Sequence, residues 1–206
     1  MNIKNINRSE WIVGVLTIVL AATVWVQVRL LGGRELTVYE IFPVFGLIAL
    51  GLMWTHFIYG AIRRYYDVDK PTPYLYGTIS GGVVLAMIIL HPALLWFMLW
   101  LDGFGLPPQS YLSVYSTQLL AIGSGSIALG IFLAYELKHF FGEKSWWKYI
   151  EYLQIVGMVA IFYHAIDLGG ELDVMWFKAI WWLYIVSFFG AVGYSQYSKR
   201  RRKRVI

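Results

Sequence analysis

Six stretches of this chain, residues 11–28, 41–62, 71–101, 103–135, 152–166 and 179–198, run without a single charged side chain. A helix crossing the hydrocarbon core of a bilayer needs roughly 20 apolar residues. A water-soluble core built from 206 residues has no use for so many long uncharged blocks. Only 14% of the chain is charged and 59% is hydrophobic, against about 25% charged in an ordinary soluble domain, so lipid is the solvent these blocks require. In lipid every backbone N–H and C=O must be satisfied internally. The expected fold is therefore all-α: a six-helix transmembrane bundle forming one integral membrane domain over residues 1–206. Its spans fall at about 11–31, 41–62, 75–101, 111–137, 147–167 and 177–198. The fifth reaches full length by starting near Trp147, with Lys148 and Glu151 close enough to the interface for long side chains to find water. The first, beside Glu10 and ahead of five more spans, reads as a retained anchor rather than a cleaved signal.

The few charges then set the orientation, because basic residues accumulate on cytoplasmic segments. With the N-terminus inside, Lys4, Arg8, Arg63, Arg64, Lys70, Lys138, Lys144, Lys148 and the basic cytoplasmic tail at 199–206 lie inside, which is 14 of the 17 basic residues. Arg29, Arg34 and Lys178 fall outside with six carboxylates, so the net charge of +5 divides into +8 inside and −3 outside. An N-in, C-in bundle follows, in a membrane of prokaryotic plasma-membrane type. The basic excess is thereby an orientation signal and a contact for anionic lipid, and no nucleic-acid partner is expected.

The absence of cysteine excludes disulfides, thiolate metal sites, iron–sulfur clusters and cysteine nucleophiles. Loops of about ten residues or fewer leave no room for a soluble catalytic domain. The small residues from Gly123 to Gly130 lie within an apolar helix, not between a strand and a helix where a dinucleotide motif belongs, and read as a close helix–helix contact.

What remains to carry chemistry is short, because ionisable groups inside a membrane are expensive. Four histidines qualify: His56 in the second span, His91 in the third, His139 at the inner end of the fourth and His164 near the outer end of the fifth. Glu151 is the carboxylate placed inside a span. His91 and His164 lie on helices of the same direction, both past the midpoint, so they can face one another. Two neutral imidazoles at matching depth can clamp a haem iron from both sides. The bland alternative is that each hydrogen-bonds to a neighbouring helix, or that the histidines and Glu151 relay protons.

These residues resemble the ferric reductase-like transmembrane domain, the six-helix haem b module of metalloreductases, NADPH oxidases and the haem subunit of methionine sulfoxide reductase. The resemblance covers about residues 77–193. It rests on Gly77-Thr-Ile-Ser-Gly-Gly leading to His91, on the Gly- and Ser-rich fourth helix, and on Trp147-Lys-Tyr-Ile-Glu151-Tyr-Leu153 followed by His164. It implies His91 and His164 as axial ligands of an outer haem. The inner-haem positions hold Gly77 and Glu151, as expected of a single-haem branch. The ascorbate-dependent two-haem cytochromes are similar in a second way, with one histidine on each of helices two to five, matched here by His56, His91, His139 and His164.

The expected function is that of a b-type cytochrome, an oxidoreductase or electron-transfer subunit, carrying electrons through the membrane toward an acceptor on the outer side. It would hold one haem b, or two if His56 serves an inner cofactor, with flavin or quinone as a relay. A separate cytoplasmic or membrane electron donor is implied, since the chain has no nucleotide domain of its own. The alternatives are a histidine-lined proton-coupled transporter or channel without haem, and a structural membrane subunit.

Overall fold

The computed structural model describes residues 3–33, 35–71, 74–141 and 147–205, and among these every regular element is helical. Helix α1 (Ile3–Trp25) ends in a π-helical turn, Val26–Leu30. It is followed by α2 (Val38–Tyr65), α3 (Leu75–Leu101), the short α4 (Gln109–Val114), α5 (Leu119–Phe141), α6 (Trp147–Leu168), a 3-10 turn at Gly170–Asp173, and α7 (Met175–Val205). Four helical stretches are long and apolar enough to cross a membrane: Ile3–Leu30, Val38–Tyr65, Leu75–Leu101 and Met175–Arg201. Two more are apolar over shorter lengths, Leu119–Tyr135 and Tyr152–Leu168.

Helix α1 shows why this chain belongs in lipid. Its exposed stripe is aliphatic, with Ile12, Val15, Leu16 and Val19 at helical spacing. Between Ile6 and Val24, its buried stripe is polar or small: Glu10, Gly14, Thr17 and Ala21. A soluble helix distributes these residues the other way round. Small residues facing inward let helices approach closely where lipid offers no hydrophobic drive. Thus Gly14 leaves space for Tyr76 of α3, whose hydroxyl would lie 2.6 Å from any added Cβ, and Gly51 of α2 does the same for Thr17.

Packing is organised around α2, which lies against α1, α3 and α7, while α5 pairs with α6. The core between them is aromatic and aliphatic, with Trp181, Phe188, Phe162 and Phe177 around Leu50, Met53 and Met158. Two ends can be told apart. At the loop end, the close of α1, the start of α2, the close of α3 and the α6–α7 turn meet, because Arg29 binds Glu40 and Glu171 and the Tyr39 hydroxyl donates to Asp102 at 2.5 Å. At the tail end, Arg63 of α2 binds Asn7 and Glu10 of α1, and Tyr65 stacks on Tyr194 of α7. The start of α1 and the later part of α7 therefore lie at one end.

Three expectations are corrected in detail. The fourth uncharged block is not one helix from residue 111: it breaks at Tyr115–Gln118 between α4 and α5, where Ser116 and Thr117 compete with the backbone for hydrogen bonds. The basic tail is not separate from the last span, since α7 continues to Val205. Finally, α1 begins at Ile3, so Glu10 lies within the helix rather than ahead of it. At the far end of α3, Gly103 at φ 84° closes the helix, with its N–H bonded to the Trp100 carbonyl and that of Phe104 to Leu99. This holds Asp102 under the Tyr39 hydroxyl.

Candidate functional site

A cavity of about 340 Å³ opens between the α2–α3 pair and the α5–α6 pair, toward the loop end. Its volume is in the range that holds small molecules and cofactors. Helix α3 meets α5 over a short stretch, and the cavity occupies the space between the two pairs. His91 from α3 and His164 from α6 both line it, with Arg29, Tyr39, Tyr111 and Glu171 among its other walls.

The two imidazoles are brought together as expected, with ring centres 6.3 Å apart and planes at 79°. Each is held in the same way. The Nδ1 of His91 lies 2.8 Å from the Phe42 carbonyl oxygen of α2. The Nδ1 of His164 lies 2.9 Å from the Ala121 carbonyl oxygen of α5. A carbonyl only accepts, so Nδ1 carries the proton in both rings, and Nε2 of each neutral imidazole keeps its lone pair. This is the arrangement that orients a metal-ligating histidine and raises its basicity.

The spacing suits a single metal between the rings. A metal–nitrogen bond of about 2.0 Å places the metal roughly 3.1 Å from the centre of each ring, so two rings in line on one ion have centres about 6.2 Å apart. Among the described residues no group of three or more His, Cys, Asp or Glu side chains is placed to hold a metal. A haem iron takes at most two protein ligands, because the macrocycle supplies four of the six. The residues present fit haem iron in this respect.

His56 is not part of this cavity. Its Nε2 lies 2.9 Å from the Ser80 hydroxyl of α3, and that hydroxyl donates to the Tyr76 carbonyl at 2.6 Å. The hydroxyl proton being used there, His56 donates through Nε2 and its metal-binding lone pair is on Nδ1. Ser80 precedes His91 by 11 residues of α3, which sets the two histidine levels about 16 Å apart along the helix. His139 lies in α5 and Glu151 in α6, but their side chains are outside the described residues.

Sequence reasoning missed two buried ion clusters. At the cavity mouth Arg29 gives Nε and Nη2 to Glu171 Oε1 at 3.0 and 2.8 Å, and Nη1 to Glu40. Glu171 is 2% exposed. At the tail end Arg63 donates to Glu10 at 2.7 Å, Tyr74 donates to the other oxygen of the same carboxylate, and Glu10 is 0% exposed. Glu10 is thus a further carboxylate within a helix long and apolar enough to cross a membrane. The signal that could have found it is Glu10 at i, i+4 spacing from Gly14 on the stripe that also holds Thr17 and Ala21.

Above the cavity, α4 covers the mouth. The Trp96 indole donates to the Tyr111 hydroxyl, and burial raises the pKa of both Tyr111 and Tyr115. The mouth therefore offers an aromatic wall with hydroxyl groups, and beside it a triad of buried Arg29 and Glu171 with half-buried Glu40. No protein-family model, curated protein or solved structure matches this chain.

Proposed function

We propose that this protein is a membrane-embedded b-type cytochrome, with His91 and His164 as the two axial ligands of one haem in the loop-end cavity. The observation that carries the proposal is the matched pair of imidazoles, each with Nδ1 given to a backbone carbonyl, Nε2 unprotonated, and ring centres 6.3 Å apart on one cavity. When bound, the haem supplies a one-electron carrier. The chain's own residues would do the rest: His91 and His164 would hold the iron and tune its potential, and the cavity walls from α2, α3, α5 and α6 would surround it.

The proposal includes six membrane spans, with α5 and α6 completing the set. Their 23 and 22 residues reach about 33 Å, enough for the hydrocarbon core. It also includes the N-in, C-in orientation, in which the loop end and its cavity face outward and electrons pass toward an outer acceptor. The donor is then a separate cytoplasmic or membrane protein, or a diffusible flavin or quinone. A relay is needed between the tail end and the cavity, and an inner cofactor at His56 would have to bind through Nδ1, since Nε2 is held by Ser80.

The test is a reduced-minus-oxidised spectrum of protein purified from haem-replete cells. A low-spin b-type signal is expected in the wild type, and its loss in His91→Ala and in His164→Ala. A wild type without such a signal would remove this reading and leave the transporter and structural-subunit alternatives.

A further inference from the structure

The two histidines share a feature that is not needed for helix packing: each faces a glycine, and the glycine stands in the same place relative to the accepting carbonyl. Phe42 accepts from His91, and Gly46 follows four residues later on α2. Ala121 accepts from His164, and Gly125 follows four residues later on α5. Side chains on a helix lean toward its N-terminus, so a residue at i+4 covers the carbonyl at i. Glycine leaves that carbonyl bare. A methyl at position 125 would lie 2.5 Å from His164 Nδ1 and 2.8 Å from Cε1, and one at position 46 would lie 3.1 Å from both atoms of His91. Other helical glycines face no histidine: an added Cβ at Gly14, Gly51, Gly77 or Gly157 would meet Tyr76, Thr17, Tyr74 or Phe132, and one at Gly81, Gly82, Gly123 or Gly130 would meet nothing within 4 Å. A carbonyl oxygen has two lone pairs, so it can hold its helical N–H and accept an imidazole N–H once the Cβ is out of the way.

We propose that Gly46 and Gly125 are positioning residues of a bis-imidazole site, each exposing a helix carbonyl so that the facing histidine is locked as the Nδ1–H tautomer with Nε2 free in the cavity. The two helix pairs α2–α3 and α5–α6 then act as equivalent halves of one site, each supplying a ligand on one helix and its carbonyl clamp on the other. The identity of the metal rests on the haem reading above, whereas the tautomer rests on this chain alone. Because donation to a carbonyl makes the imidazole a stronger base, the pair of clamps favours the oxidised iron, and loosening either one shifts the potential upward. With His91 and His164 both holding the iron, the site would offer no coordination position to an external ligand.

Nitrogen NMR of protein labelled with ¹⁵N-histidine, with peaks assigned from His91→Asn, His164→Asn and His56→Asn, reads the tautomers with or without haem. Protonated Nδ1 is expected for His91 and His164, and protonated Nε2 for His56. Gly125→Ala should abolish the His164 pattern and weaken haem binding about 10–100-fold, with carbon monoxide gaining access to the reduced iron. Gly46→Ala has the milder clash, and should keep a low-spin spectrum with a more positive midpoint potential. Gly123→Ala and Gly130→Ala, on the same helix as Gly125, should match the wild type in every readout. Protonated Nε2 at His91 and His164 in the wild type, or a Gly125→Ala protein with unchanged tautomers and spectrum, overturns the proposal. A wild type with the expected tautomers but no haem overturns the cytochrome reading and leaves the carbonyl clamps standing.

Discussion

The two halves of this bundle both bury polar groups between helices, yet they spend them differently. At the tail end, His56 gives Nε2 to Ser80, the Tyr76 hydroxyl meets that of Thr55 at 2.5 Å, and Arg63 is neutralised by Glu10. Side chain meets side chain, and that network does not line the cavity. At the loop end, His91 and His164 are held by backbone carbonyls, and the opposite edge of each ring is left for whatever fills the cavity. A buried histidine is therefore a poor indicator of function by itself. What separates a ligand from a structural histidine is which nitrogen the surroundings use and whether the other one has a place to act.

The comparison breaks most sharply on replacement of the histidines. Removing His91 or His164 should eliminate the low-spin haem signal, whereas His56→Gln should leave it intact. An equal loss for all three, in protein that remains folded, would make the two halves one site.

A large effect of the opposite kind is expected at the tail end. Glu10→Gln leaves Arg63 buried without its counter-charge, which should cost about 3–5 kcal/mol of stability. Thermal unfolding in detergent would read this loss, while haem content per folded chain stays constant. The double change Glu10→Leu with Arg63→Leu should cost much less, because no lone charge is left behind.

Ser80→Ala is a smaller test of the same region. It deprives His56 of its acceptor, and an unsatisfied buried donor costs about 1–3 kcal/mol. A lowered melting temperature with an unaltered haem spectrum would confirm that His56 is structural in the absence of an inner cofactor.

The smallest expected effect concerns pH. Burial and the bond to Glu10 raise the Tyr74 pKa above its ordinary value of 10.0. The folded protein therefore holds this proton more tightly than the unfolded chain. The stability it contributes is complete below pH 10 and is lost as the pH rises through the folded pKa. Denaturation midpoints should fall above pH 10 in the wild type and fall less steeply in Tyr74→Phe.

Much of the site was legible in the sequence, because a membrane removes most competing polar residues. His91 and His164 stood out as histidines in the outer halves of two helices of the same direction, eleven residues before Asp102 and three before Asp167 respectively, and the structure brings their rings together. Their partners were not legible. Phe42 and Ala121 act through backbone carbonyls, which no side-chain pattern marks. Gly46 and Gly125 are two of 20 glycines, and only the rotation of α2 and α5 shows which of them faces an imidazole. The run from Gly123 to Gly130 reads as a helix contact, but its members differ: Gly125 faces His164, and Gly123 and Gly130 face open space. The ion clusters were hidden for another reason. Arg63 and Glu10 are 53 residues apart and Arg29 and Glu171 are 142 apart, and hydropathy places such charges near span ends without showing that they pair. The break between α4 and α5 was missed because no charge interrupts the block from 103 to 135.

The central claim is that two carbonyl-clamped imidazoles hold one haem. It is tested most directly by haem content per polypeptide together with the spin state of the iron, measured on wild-type protein, His91→Ala and His164→Ala. The account predicts one low-spin six-coordinate haem b at this site in the wild type and none in either variant. Purified wild type without haem, or a low-spin signal that survives both replacements, would contradict it.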